Sequence, residues 1–205
     1  VNYLPGQKIY SFKIIMIYLD NSATTQVDPE VFDAMIPWFK ENYGNPSSIY
    51  SLGRQARVAI EKARGEIAAA LNAHPAELIF TSGGTESNNA DLKSAVQESN
   101  LADTVVTSAI EHHAILHPLE VLESLGKHTV ILPVDDKGLV SPQSVAAHNN
   151  ARTLVSIMHV NNEVGSIQPI KELREAVPNA LFHTDAVQSF GKIPLDVQAL
   201  GVDFL

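Results

Sequence analysis

The 205 residues carry 14 Lys and Arg against 23 Asp and Glu, a net charge of -9 with a pI near 5.3. That balance excludes the basic patches that broad nucleic-acid or anionic-membrane binding requires, while a small anionic ligand needs only local donors. With 45% apolar residues the chain reads as a soluble globular protein, long enough for one large α/β domain or one domain and part of another; zero cysteines exclude disulfides, zinc–thiolate sites and a thiol nucleophile within these residues.

Residues Val1 to Ile15 show no clear period, and Met16 reads as the natural start, so 1–16 is taken as an extension. The most apolar N-terminal part, Ile9 to Leu19, is too short for a membrane span and is broken by Lys13, which also argues against a secretory signal; a cytoplasmic location is expected. Ile17-Tyr18-Leu19 is strand-like, Asp20 to Thr25 suits a turn, and Asp28-Pro29-Glu30 opens a helix to about Phe39 with an Asp cap and a first-turn proline. Asn42 to Ser48 is a loop, and Ser51 to Leu71 has helical spacing with Arg and Glu outward, which makes 17–77 a helical segment.

From Leu78 onward strand and helix alternate. The apolar run Leu78 to Thr81 breaks at Gly83-Gly84-Thr85 and leads to a helix reaching about Gln97; then come a strand at Thr104 to Ser108, a helix from about His112 to Leu125 and a strand at Thr129 to Pro133. A helix at Ser141 to Asn149, a strand at Thr153 to His159, a helix at Ile170 to Val177, a strand at Ala180 to Asp185 and a strand-like end at Asp203 to Leu205 follow. This alternation predicts a mainly parallel sheet with helices on both faces, a doubly wound α/β domain over 78–205.

In such a sheet ligands sit beyond the carboxyl ends of the strands. Gly83-Gly84-Thr85 reads as a phosphate cradle: the glycines allow positive φ and close approach, and Thr85, Glu86 and Ser87 suit a helix start with free N–H groups. A small side chain at Gly84 is expected to be tolerated. No Lys-Ser/Thr pair follows, as a Walker loop needs, and no third glycine stands at dinucleotide spacing. The other strand ends supply Glu111-His112-His113, Asn161-Asn162-Glu163 and His183-Thr184-Asp185 with Gln188 beyond. An imidazole able to stack on a flat ring, an amide pair and a buried carboxylate that wants a cation complete a polar crescent. Taken singly, the glycine turn also reads as a plain strand-to-helix connection, Asp185 as a helix cap, Asn161 and Asn162 as a turn, and His112 as a cap or a buried histidine. His113 and His117 could share a helix face, but the Glu of a His-Glu-x-x-His site is missing and no metal is expected.

Tyr18-Leu-Asp-Asn-Ser-Ala-Thr-Thr25, Gly44-Asn-Pro-Ser-Ser48, Phe80-Thr-Ser-Gly-Gly-Thr-Glu-Ser87, Glu111-His112, Ser156-Ile-Met-His-Val-Asn-Asn-Glu-Val-Gly165 and His183-Thr-Asp-Ala-Val-Gln188 together resemble, in order, the motifs of the cysteine desulfurases, in the class V aminotransferase group of fold type I pyridoxal-phosphate enzymes. The resemblance spans about Ile17 to Leu205. It implies that Gly84 and Thr85 bind the phosphate of pyridoxal 5'-phosphate, that His112 stacks on the pyridine ring and assists proton transfer, that Asp185 faces the ring nitrogen, and that Asn162 and Gln188 contact the phenolate-oxygen side. It also implies a homodimer, L-cysteine as substrate, and a sulfur-acceptor protein in iron–sulfur assembly or tRNA thiolation.

By the same resemblance the family's cofactor-linking lysine, in a Ser-x-His-Lys segment, its nucleophilic cysteine and its substrate arginine fall beyond Leu205. Lys192, in Gly191-Lys-Ile-Pro194, is not the linking position. The chain is therefore expected to be the N-terminal half of a cysteine desulfurase, without turnover alone. The alternatives are another class V aminotransferase or lyase, and a non-catalytic cofactor-binding or scaffold relative.

Overall fold

The computed structural model describes residues 16–205. The reading of 1–16 as an extension therefore lies, up to residue 15, outside the described residues. Helix α1 (Pro29–Lys40) starts where Asp28 Oδ1 accepts from the Glu30 N–H at 2.8 Å, with Pro29 in the first turn where its missing N–H costs nothing. Helix α2 (Ser51–Leu71) has the bounds its spacing predicts and ends at Asn72 in the left-handed region, φ 55°.

Helix α3 (Gly84–Lys93) continues as one π-helical turn over Ser94–Glu98, closed by Ser99 N–H on the Ser94 carbonyl. Then follow β1 (Thr104–Ser108), α4 (His113–Ser124), β2 (His128–Leu132), α5 (Pro142–Ala146), β3 (Thr153–Ser156), α6 (Ile170–Ala176), β4 (Leu181–His183) and α7 (Val197–Leu200). All strand pairings are parallel, in the order β2-β1-β3-β4.

The strand period of two sends neighbouring residues to opposite faces, and both faces are covered. Val105 pairs with Leu154, and both pack with Leu92, Val96, Ile115 and Leu122 of the α3 and α4 side. Val106, Val155 and Phe182 face the other way, onto Val145 of α5 and Ile170 and Leu173 of α6. The expected doubly wound sheet is thus observed.

Two expected strands are corrected. Ile17 to Leu19 and Leu78 to Thr81 are unpaired, because a strand exists only beside another and none lies beside them among the described residues. Ile79 is 82% exposed, while Leu78 is tied back through its carbonyl to the Arg64 guanidinium, which also covers the Phe80 ring at 4.8 Å. The expected strands ending at His159 and Asp185 stop early as regular ladders, at Ser156 and His183. Their continuations still bond, His159 N–H to Asp185 O at 2.9 Å, and Phe204 bridges His183 where the C-terminal strand was expected.

Candidate active site

The chain leaves β1 on one side for β2 and returns on its other side as β3, so the sheet order reverses between β1 and β3. A crevice opens beyond the carboxyl ends of strands at such a reversal. Glu111 and His112 follow β1 there, Met158 to Asn162 follow β3, and Asp185 follows β4. The start of α3 is docked onto the same place. Asn88 Nδ2 donates to Asp185 Oδ2 at 2.7 Å, and the Gly84 backbone lies against Val187.

At the cradle the N–H groups of Gly84, Thr85 and Glu86 meet no acceptor among the described residues, as the first turn of a helix requires. Glu86 folds back, its Oε2 accepting from Ser82 N–H at 2.7 Å and Ser82 Oγ at 2.6 Å, and those bonds hold its carboxyl below the usual range. The two glycines act differently from each other: Gly83 takes the expected positive φ, 159°, in a conformation that favours glycine, whereas Gly84 opens the helix. What Gly84 supplies is room: a Cβ there would lie 2.5 Å from Val187 Cγ2, so even a small side chain is not accommodated without movement.

His112 caps α4, its Nδ1 accepting from the Ala114 N–H at 3.0 Å. With that lone pair used, the neutral ring carries its proton on Nε2. A groove of about 420 Å³ between α3 and α4 is lined by both Thr85 and His112, and further out by Lys93, His113 and His117. The last two rings stack at 4.7 Å, one helical turn apart, and no cluster of three potential metal ligands forms among the described residues.

Asp185 is buried, 7% exposed, with Oδ1 accepting from Val187 N–H at 2.9 Å and Oδ2 from Asn88. No ion pair to it forms among the described residues. Of the amide pair, Asn161 does make a turn, its Oδ1 taking the N–H groups of Glu163 and Val164 at 2.8 Å each and its Nδ2 the Ile110 carbonyl. Asn162 is half-buried and makes no side-chain hydrogen bond among the described residues. Gln188 is engaged at both ends, donating to Ser22 O at 3.2 Å and accepting from Lys192 Nζ at 2.8 Å.

Two buried groups without an assigned role lie behind this front. Glu111 sits across the crevice, accepting from Ser108 Oγ at the end of β1 and from Met158 N–H after β3, at 3.0 and 3.1 Å to its two oxygens. Burial pushes its carboxyl up to about 8, the Asp185 charge adds to that, and the Ser108 and Met158 bonds oppose it. His183 is fully buried, with Nδ1 2.8 Å from Ser156 Oγ; burial pushes it down to about 4, so it is neutral at pH 7. Neither role follows from the strand-end residues alone. The spacing of Gly84 and Asn88, one helical turn apart on a face of α3, was the available signal for Asn88.

The class-V aminotransferase family model matches residues 17–205. The chain is 50% identical over 193 residues to the cysteine desulfurase IscS of Dictyoglomus turgidum, covering 92% of this chain and 49% of that protein. It is 49% identical to the cysteine desulfurase IscS of Methanosarcina thermophila, covering 92% and 48%. The chain thus spans about half the length of the curated relatives it matches. Among solved structures, a NifS-like protein superposes with a TM-score of 0.86 at 39% identity, over 93% of this chain and 55% of that one. A protein described as SspA in complex with cysteine gives a TM-score of 0.84 at 37% identity, over 91% and 55%. No helix among the described residues is long and apolar enough to cross a membrane.

Proposed function

Since the chain belongs to the class-V aminotransferase family, we propose that it forms the cofactor-binding part of a cysteine desulfurase, which takes sulfur from L-cysteine, releases L-alanine and holds the sulfur as an enzyme persulfide. The cysteine desulfurases it matches are pyridoxal phosphate-dependent enzymes. Their activity favours this chemistry over that of an aminotransferase, another lyase or a non-catalytic scaffold.

The observation that carries the reading is Asp185, a buried carboxylate held by two neutral N–H donors and no cation among the described residues. A negative charge so placed favours a cationic guest, and a protonated pyridine nitrogen is one. The free N–H groups of Gly84 and Thr85, with the Thr85 hydroxyl, suit the phosphate at the other end. When bound, the cofactor supplies a protonated ring that withdraws the electron pair left at the substrate α-carbon. His112 would lie against the ring, and because its Nδ1 is committed to Ala114, Nε2 would be the atom free to hold or move a proton. Asn162, with its amide free among the described residues, and Gln188, whose Nε2 donates to Ser22 O, would be the contacts on the phenolate-oxygen side.

Residues 78–205 form the cofactor domain in this reading and 17–77 its helical N-terminal segment. The cofactor site of residues 17–205 is completed by a linking lysine and a persulfide cysteine from outside the matched half, and turnover needs both. The whole protein is a cytoplasmic homodimer that passes sulfur to an acceptor protein. Apolar side chains left in solvent along α1, Phe32 and Phe39 among them, support coverage by further protein. The test is to load the full-length protein with pyridoxal phosphate, supply L-cysteine with a thiol reductant, and measure alanine and sulfide. Equal amounts of both are expected; amino-group transfer to a keto acid without sulfur release would assign the site to aminotransferase chemistry.

A further inference from the structure

Two contacts tie the start of α3 to the segment after β4, and they come from residues one helical turn apart. Gly84 lets the helix backbone close onto Val187, and Asn88, buried at 4% exposure, donates to Asp185 Oδ2 at 2.7 Å. Val187 closes the loop by giving its own N–H to Asp185 Oδ1 at 2.9 Å. Both oxygens of Asp185 are thereby held, one from its own loop and one from the helix whose first turn presents the free N–H groups.

We propose that Asn88 is a positioning residue for the cofactor: it fixes the Asp185 carboxylate relative to the first turn of α3, and so sets the separation between the ring-nitrogen partner and the phosphate cradle. This rests on the cofactor reading above. A charged acceptor gains more from an N–H donor than a neutral one does, so the bond from Asn88 is a firm anchor for the Asp185 carboxylate. A helix-packing role alone would require neither the donor nor its aim at a carboxylate.

The test uses wild type, Asn88→Ala and the isosteric Asn88→Asp, which replaces the donor by a carboxyl, each stripped of cofactor and checked for folding by circular dichroism. Pyridoxal phosphate labelled with nitrogen-15 in the ring is then titrated, giving affinity and, from the ring-nitrogen chemical shift, the protonation of the bound pyridine. The expected result is a dissociation constant raised about ten- to a hundredfold in both variants, with the ring nitrogen shifted toward the unprotonated value. A folded variant that binds with wild-type affinity and a fully protonated ring overturns the proposal. So does loss of folding in both variants, which would make Asn88 a residue of the fold alone. A wild type that takes up no pyridoxal phosphate would instead overturn the cofactor reading, and this proposal with it.

Discussion

A Cβ placed on Gly84 would lie 2.5 Å from Cγ2 of Val187, closer than two carbons approach. The absent side chain at Gly84 is what lets α3 dock on the loop that carries Asp185. Gly84→Ala is therefore expected to destabilise the folded protein by about 1–3 kcal/mol, the range for an extra methyl forced into a packed contact. The double variant Gly84→Ala/Val187→Ala should recover most of that loss in denaturant unfolding. Wild-type stability in the single variant would mean that the loop moves aside freely.

Thr85→Val keeps the shape of the side chain and removes a donor that bonds no protein group among the described residues. A hydrogen bond to a charged phosphate contributes about 1.5–3 kcal/mol, so the dissociation constant of pyridoxal phosphate should rise about ten- to a hundredfold. Unfolding of the cofactor-free protein should change little. Unchanged cofactor affinity with a large loss of apo stability would make the hydroxyl a part of the turn only.

Glu111 gives the fold a dependence on pH whose sign is set by burial. Its carboxyl ordinarily titrates at 4.5 and is pushed up to about 8 in the fold, so between those values the folded state holds a proton that the unfolded chain has released. Stability contributed by this group falls as pH rises through that window, by at most about 1.4 kcal/mol per unit, and levels off above it. Glu111→Gln keeps an acceptor for Ser108 and Met158 and does not titrate. The stability of the variant relative to wild type should therefore grow from pH 5 to pH 8, measured by urea unfolding at fixed ionic strength. A difference that stays flat with pH would show Glu111 ionised throughout.

At the opposite end of the sheet Asp103, just before β1, is paired with Lys127 before β2 at 3.0 Å and with Arg152 before β3. These two cations hold its carboxyl well below the usual carboxylate range. A depressed acid stabilises the fold above its unfolded pKa, ordinarily 3.8, and that contribution is lost as pH falls through the folded value. The site is only half-buried and open to solvent screening, so Asp103→Asn should lower the melting temperature modestly at pH 7, and the deficit should shrink in high salt. A deficit indifferent to salt would point to backbone contacts of the segment instead.

The local signals of the sequence carried most of the fold. Helical spacing located α2 at Ser51–Leu71, and a β-branched run located β1 at Thr104–Ser108, because both depend on residues near in sequence. Leu78 to Thr81 has the same apolar look and is no strand, since pairing is decided by a neighbour and not by the run itself. The placement of His112, Asn162 and Asp185 after β1, β3 and β4 was legible because each follows its own apolar run closely in sequence. The Asn88–Asp185 bond joins residues 97 apart, and the Glu111–Met158 bonds residues 47 apart. The spacing of Gly84 and Asn88 marks a shared face of α3, but what that face meets is not readable until the sheet order is known.

In the proposed site Gly84 and Thr85 hold the phosphate of a cofactor whose ring nitrogen meets Asp185. A crystal structure of the full-length protein grown with pyridoxal phosphate measures this directly. Phosphate density is expected within hydrogen-bond distance of the first-turn N–H groups of α3 and the Thr85 hydroxyl, with the pyridine nitrogen within hydrogen-bond distance of an Asp185 oxygen and the His112 ring against the pyridine. Cofactor bound elsewhere, or bound here with Asp185 still facing only Asn88 and Val187, would contradict it.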